Sequence, residues 1–221
     1  MLVLLSCSLA PVVAAPEQTG ATARGQALTD WVLSKLVRPA PMRTAFVELR
    51  GSKLLKAPLR IQGEYQRPRD DILVREVRSP YRETSTIGGG RITIARDGGK
   101  ARTFSLSRAP ELAGLQASFG ALLSGDRALL QRHYTIASDG SRQHWTLVLT
   151  PKDDKFAAQV RDITLHGRGA ELRCIETRPA TPVGKPAAEV QRTLLAGAAH
   201  AADAVVDADA LAALCHGPAA Q

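Results

Sequence analysis

The sequence predicts an α+β fold in which apolar helices are inserted into one antiparallel sheet. Three observations carry this reading. From Thr44 to Arg108 the chain runs as short alternating segments broken by turn residues. Leu112, Leu115, Phe119, Leu122 and Leu123 then recur at helical spacing, and alternating segments resume after His133. Strands and helices do not alternate one by one, which excludes a βαβ arrangement.

Taken in order, the first element is a helix over Gly25 to Val37, with Leu28, Trp31, Val32 and Leu36 on one face; Pro39 and Pro41 end it. The first strand group reads "TAFVELRG", "PLRIQGEYQ", "DILVREV", "RETSTIGG", "GRITIAR" and "ARTFSLSR", with Gly88-Gly89-Gly90 and Asp97-Gly98-Gly99 as hairpin turns. After the leucine-rich helix, Asp126 is placed to cap a second short helix running to Arg132. The second strand group reads "HYTIAS", "RQHWTLVLT", "KFAAQVRDITLHG" and "AELRCIETR". "RPATPVGKP" reads as a linker, and the Ala-rich segment that follows as a C-terminal helix or helix pair. One long antiparallel sheet must curl, close or be covered to hide its apolar side, and the inserted helices are a natural cover.

The N-terminus "MLVLLSCSLAPVVAAPEQ" carries no charge from Leu2 to Ala14 and reads as a signal peptide cleaved after Ala14 or Ala15. Its apolar run falls short of the about 20 residues a membrane span needs. A rival reading makes "LLSC" a lipobox with Cys7 lipidated. The resulting organisation is residues 1–15 signal, 16–178 sheet domain, and 179–221 linker and helical tail. Export would place the chain in an oxidising compartment, where Cys174 and Cys215 either bridge or stay as buried thiols.

The net charge of +8 raises a nucleic-acid reading. Its arginines are scattered along strands, and four Phe, three Tyr and two Trp offer little for stacking on bases. Attraction to anionic lipid surfaces and a generally solvated basic surface remain as explanations.

Catalytic signals are absent. The five histidines, His133, His144, His166, His200 and His216, show no paired-ligand spacing, so no metal is expected. No GxSxG or P-loop occurs, and Asp70-Asp71 and Asp153-Asp154 read as turn acids. No acid, base and oxyanion site assembles, so no enzyme and no cofactor are expected. An apolar container requires none of these, because each buried methylene contributes about 0.8 kcal/mol. The same apolar residues also serve a dry core, and periodicity does not separate the two.

Several segments occur in an order that resembles the LolA-type carriers of outer-membrane lipoproteins: "AFVELR", "GEYQRPRDDILVREVRSP", "RITIAR", "LLSGDRALLQRHYTIA" and "HWTLVLTPKDDKFAAQVRDITL". The resemblance runs from about Trp31 to Ile175 and looks closest to divergent LolA-like proteins, some associated with other lipidic cargo. It implies an incomplete, strongly curved antiparallel β-barrel under a helical lid. It also implies a periplasmic, monomeric carrier of acylated cargo, working between an inner-membrane exporter or releasing complex and an outer-membrane acceptor. The family's Arg-Pro arginine, which latches the lid through its backbone, matches Arg67. The tail from about Pro186 and the cysteine pair lie outside this pattern.

Alternation then nominates Phe46, Ile61, Tyr65, Ile72, Val74, Ile92, Ile94, Phe104 and Leu106 as one cavity wall, and Trp145, Leu147 and Leu149 as the far wall. Leu112, Leu115, Phe119 and Leu122 are the lid candidates. A one-residue slip would reverse any strand's set. The alternative reading is an envelope module that docks a transporter or lipid head groups without internal cargo.

Overall fold

In a computed structural model of the chain, the described residues are 18–50, 59–108, 120–181, 189–205 and 208–217. The expected signal peptide, Cys7 and the lid positions Leu112, Leu115 and Phe119 lie outside them.

Helix α1 spans Gln18–Leu36, starting earlier than its periodicity indicates, and buries Thr29, Val32, Leu33 and Leu36. It ends ahead of Pro39 and Pro41, which cannot continue it. Six strands follow: β1 Met42–Arg50, β2 Leu59–Arg69, β3 Ile72–Ser79, β4 Glu83–Gly88, β5 Arg91–Arg96 and β6 Arg102–Ser105. Leu106 to Arg108 form a 3₁₀ turn. Residues 120–124 are helical. Helix α2, Arg127–His133, is capped as expected, with the Asp126 carboxylate accepting from the Leu129 amide at 2.8 Å.

The second group comprises β7 Tyr134–Gly140, β8 Trp145–Pro151, the short helix α3 Asp154–Ala157, β9 Val160–Arg168 and β10 Glu171–Pro179. The tail departs from expectation. Gln191–Leu195 form a strand, β11, before helices α4, Ala196–Ala201, and α5, Ala208–His216. "QRTLL" shows no polar–apolar alternation and lies inside an Ala-rich run that otherwise reads as helix; its pairing with β1 and β10 is what makes it a strand.

All eleven described strands form one curved, open antiparallel sheet in the order β6-β5-β4-β3-β2-β1-β11-β10-β9-β8-β7. The tail strand therefore sits at the centre, pairing with β1 on one side and β10 on the other. Phe46 lies opposite Leu195, and Cys174 opposite Leu194.

The sheet has an apolar layer on each face. On the inner face Phe46, Ile61, Val77, Trp145, Leu147, Leu149, Ile163 and Leu165 pack against Val32, Leu33 and Leu36 of α1 and against Ala121, Leu122 and Leu130. On the outer face Val47, Cys174 and Leu194 pack against Ala198, Ala199, Ala202, Leu211 and Cys215. A Cys174–Cys215 disulfide fastens α5 to β10. Arg60 adds hydrogen bonds to the carbonyls of Ala202 and Val205, at 2.7 and 2.6 Å. Two-sided cover is how an open sheet of this length hides its apolar surface.

Gly167 is dictated by packing. A Cβ on Gly167 would fall 1.9 Å from the Trp145 ring, so the indole lies flat on bare backbone. Its Nε1 donates to the Gly169 carbonyl at 2.9 Å, which satisfies the ring's one polar group.

Candidate functional site: a lidded cavity at one end of the half-barrel

At the end of the sheet where β1 begins, the inner face does not close on the helices. A cavity of about 370 Å³ lies there, bounded by Leu36, Leu122 and Leu123 above and by Met42, Thr44, Tyr65, Leu73, Leu172 and Leu195 on the sheet. Arg38, Gln66, Arg67, Arg168 and Glu171 contribute the polar part of its lining. Volumes of about 300–1,000 Å³ are typical of small-molecule sites.

Arg67 holds the edge of this cavity. It is buried, with 6% of its surface exposed, although it is an arginine near the end of β2. Its Nη1 donates to the Arg38 carbonyl at 2.7 Å, and its Nη2 meets the Asp70 carboxylate at 2.8 Å. The Arg38 amide in turn donates to the Leu123 carbonyl at 3.0 Å. Among the described residues, Arg67 thus reaches the helical cover at one remove, through the segment that follows α1. The Arg38 side chain completes the joint, donating to the carbonyls of Lys35, Val37 and Ala170.

A charged layer lies deeper on the same face. The Glu48 side chain is 2% exposed and accepts from Arg75 at 2.7 Å and from Gln191 at 2.6 Å, with Arg50 also on it. The Arg75 guanidinium stands 4.8 Å from the centre of the Phe46 ring, which meets the Tyr65 ring at 4.7 Å with the planes tilted by 37°. Burial pushes the Tyr65 phenol above its ordinary pKa; Arg75 opposes this and Glu48 adds to it. Sequence patterning gave no sign of this layer, because Glu48 and Arg75 alternate like solvent-facing charges.

The nominated wall residues separate into groups. Tyr65 lines the cavity, as does the lid candidate Leu122. Phe46, Ile61, Trp145, Leu147 and Leu149 lie in the packed inner core. Ile92, Ile94, Phe104 and Leu106 form a separate cluster with Ile87 towards the β6 edge. Ile72 and Val74 fall on the outer face, and Leu73 and Arg75 turn inward instead.

The cause of that reversal is local. Arg69 pairs with Ile72, but the register shifts by one before Gln66 pairs with Val74. The irregularity sits at Arg67-Pro68, where proline has no amide to give the ladder. A regular hairpin extended from the Arg69–Ile72 pair would put Ile72 and Val74 on the face of Tyr65; the extra residue in β2 puts Leu73 and Arg75 there instead. The lining residues Leu36, Met42, Leu123, Leu172 and Leu195 were also missed; each is an ordinary apolar residue near an element's end, with no mark distinguishing lining from core.

The described residues thus form an open antiparallel half-barrel with helices on its inner face and a largely apolar cavity beneath them. A family model described as "Outer membrane lipoprotein carrier protein LolA-like" matches residues 21–219, and the chain belongs to that family. The match includes the tail, with β11 and the disulfide. Among solved structures, the chain is similar to a LolA superfamily protein, NE2245, from Nitrosomonas europaea, at 10% identity and a TM-score of 0.39, covering 77% of this chain and 91% of that one. It is also similar to LprF from Mycobacterium bovis, at 12% identity and a TM-score of 0.30, covering 78% and 90%. No curated protein matches the sequence. No described helix is long and apolar enough to cross a membrane.

Proposed function

We propose that this protein carries acyl chains, of lipoproteins or of other lipidic cargo, through the periplasm from an inner-membrane exporter or releasing complex to an outer-membrane acceptor. The observation that supports the reading best is the cavity itself: an apolar space between sheet and helices, with arginines in its lining. An acyl chain lies against Leu36, Leu73, Leu122, Leu172 and Leu195, and the cargo's polar part stays near Arg38 and Arg168. Each methylene buried contributes about 0.8 kcal/mol, so affinity accrues without specific polar contacts. Transfer proceeds by reversible opening of the helical cover, with no covalent step.

The test is native mass spectrometry of the protein taken from its own cell envelope, with displacement of a fluorescent fatty acid as a second measure. An acyl-bearing ligand, displaced by the probe, is the expected result. Protein that is ligand-free and takes up no probe overturns the proposal, and co-purification with a transporter in that case favours a docking module without cargo.

A further inference from the structure

Three groups far apart in sequence meet on the outer face where α5 is fastened to the sheet. His166 on β9, Glu176 on β10 and His216, the last residue of α5, converge there. His166 Nε2 is 3.2 Å from one Glu176 oxygen, and His216 Nε2 is 3.0 Å from the other. The two imidazole centres lie 4.9 Å apart. The ligand atoms of this trio and the Cys215 sulfur all fall within 4.8 Å of one another.

We propose that His166, His216 and Glu176 bind a divalent transition-metal ion, with Zn²⁺ and Cu²⁺ as the fitting cations. Two imidazoles and one carboxylate are the donor set those ions favour, whereas calcium and magnesium select oxygen-only sites. At metal–ligand distances of about 2.0–2.2 Å, neighbouring donors of a tetrahedral site stand about 3.3 Å apart. Each imidazole already stands close to that spacing from its own carboxylate oxygen, at 3.0 and 3.2 Å, so the carboxylate can serve the ion through both oxygens. Both rings turn Nε2 towards the carboxylate, so exchange of the bridging protons for an ion needs little rearrangement. A cavity of about 140 Å³ touching His166 and His216 leaves room for water in the remaining position. The Cys215 sulfur is committed to its bridge with Cys174 and is not a ligand.

One group competes with the ion. Arg192 Nε donates to Glu176 at 2.6 Å, and metal binding must share or displace that contact. The site is separate from the acyl cavity. An ion there ties α5 to β9 and β10 beside the disulfide, and it stabilises the fold by mass action.

The test uses oxidised, EDTA-treated protein titrated with ZnCl₂ by calorimetry, and with CuSO₄ by electron paramagnetic resonance. Expected are one equivalent of ion, at least tenfold weaker binding in His166→Ala and in His216→Ala, and no change in His200→Ala. Arg192→Gln removes the competing cation and tightens binding, which a merely structural trio would not do. The copper spectrum of the unaltered protein shows two nitrogen ligands, a readout independent of whether any variant folds. Absence of saturable binding below about 100 μM, or equal binding after loss of either histidine, overturns the site and leaves the trio as a hydrogen-bonded cluster only.

Discussion

Arg67 and Leu123 are joined through a single intervening residue: the guanidinium holds the Arg38 carbonyl at 2.7 Å, and the Arg38 amide holds the Leu123 carbonyl at 3.0 Å. A hydrogen bond from a charged donor contributes about 1.5–3 kcal/mol. Arg67→Leu is expected to leave the fold intact and acyl binding present, while amide exchange at residues 120–124 quickens and probe release speeds up. Arg67→Lys does not restore the parent rate, because one ammonium cannot span Arg38 and Asp70 together. Unchanged exchange and release in Arg67→Leu would reduce the residue to a buried structural charge.

The face reversal in β3 makes a paired prediction. Leu73→Trp fills the cavity and lowers fatty-acyl probe affinity at least tenfold, with a small change in melting temperature. Val74→Trp, on the outer face, leaves probe affinity within about twofold. Equal effects from the two variants would mean that probe binds somewhere other than beneath the helical cover.

Trp145 reports on its glycine seat. Gly167→Ala must push the indole off the backbone, and overpacking of this kind costs about 1–3 kcal/mol. Urea unfolding followed by tryptophan fluorescence measures the loss. The emission maximum of the folded variant should also shift to the red as the ring leaves its site.

Alkaline pH acts through Tyr65. Its folded pKa lies above the ordinary 10.0, so the folded state holds the phenolic proton more tightly than the unfolded chain does. The associated stability is complete below pH 10 and is lost as pH rises through the folded value. Urea midpoints measured from pH 9 to pH 12 should therefore fall more steeply for the parent than for Tyr65→Phe. Parallel curves would show that the phenol does not contribute.

Much of the fold was legible because its signals are local. The hairpins, the Asp126 cap and the interruption of strands by helices all follow from a few neighbouring residues. The faces were less legible, since the extra residue at Arg67-Pro68 decides which side of β3 turns inward, and a proline's missing amide does not by itself say how the register shifts. The cavity was least legible: Leu73 and Leu195 differ from Leu147 and Leu165 only in how closely the helices approach them. Burial of Glu48 and Arg75 depends likewise on what faces them across the sheet, which alternation does not encode.

The central position of Gln191–Leu195 has a consequence for how the molecule comes into being. The last of the described strands is the one that joins the two halves, so contacts of high sequence separation, such as Phe46 with Leu195, form late. Until that segment arrives, β1 and β10 are both unpaired on one side, each nine residues long. Two open edges of that length are templates for pairing with another chain. A product cut short before Gln191 is thus expected to aggregate rather than to fold as a smaller half-barrel.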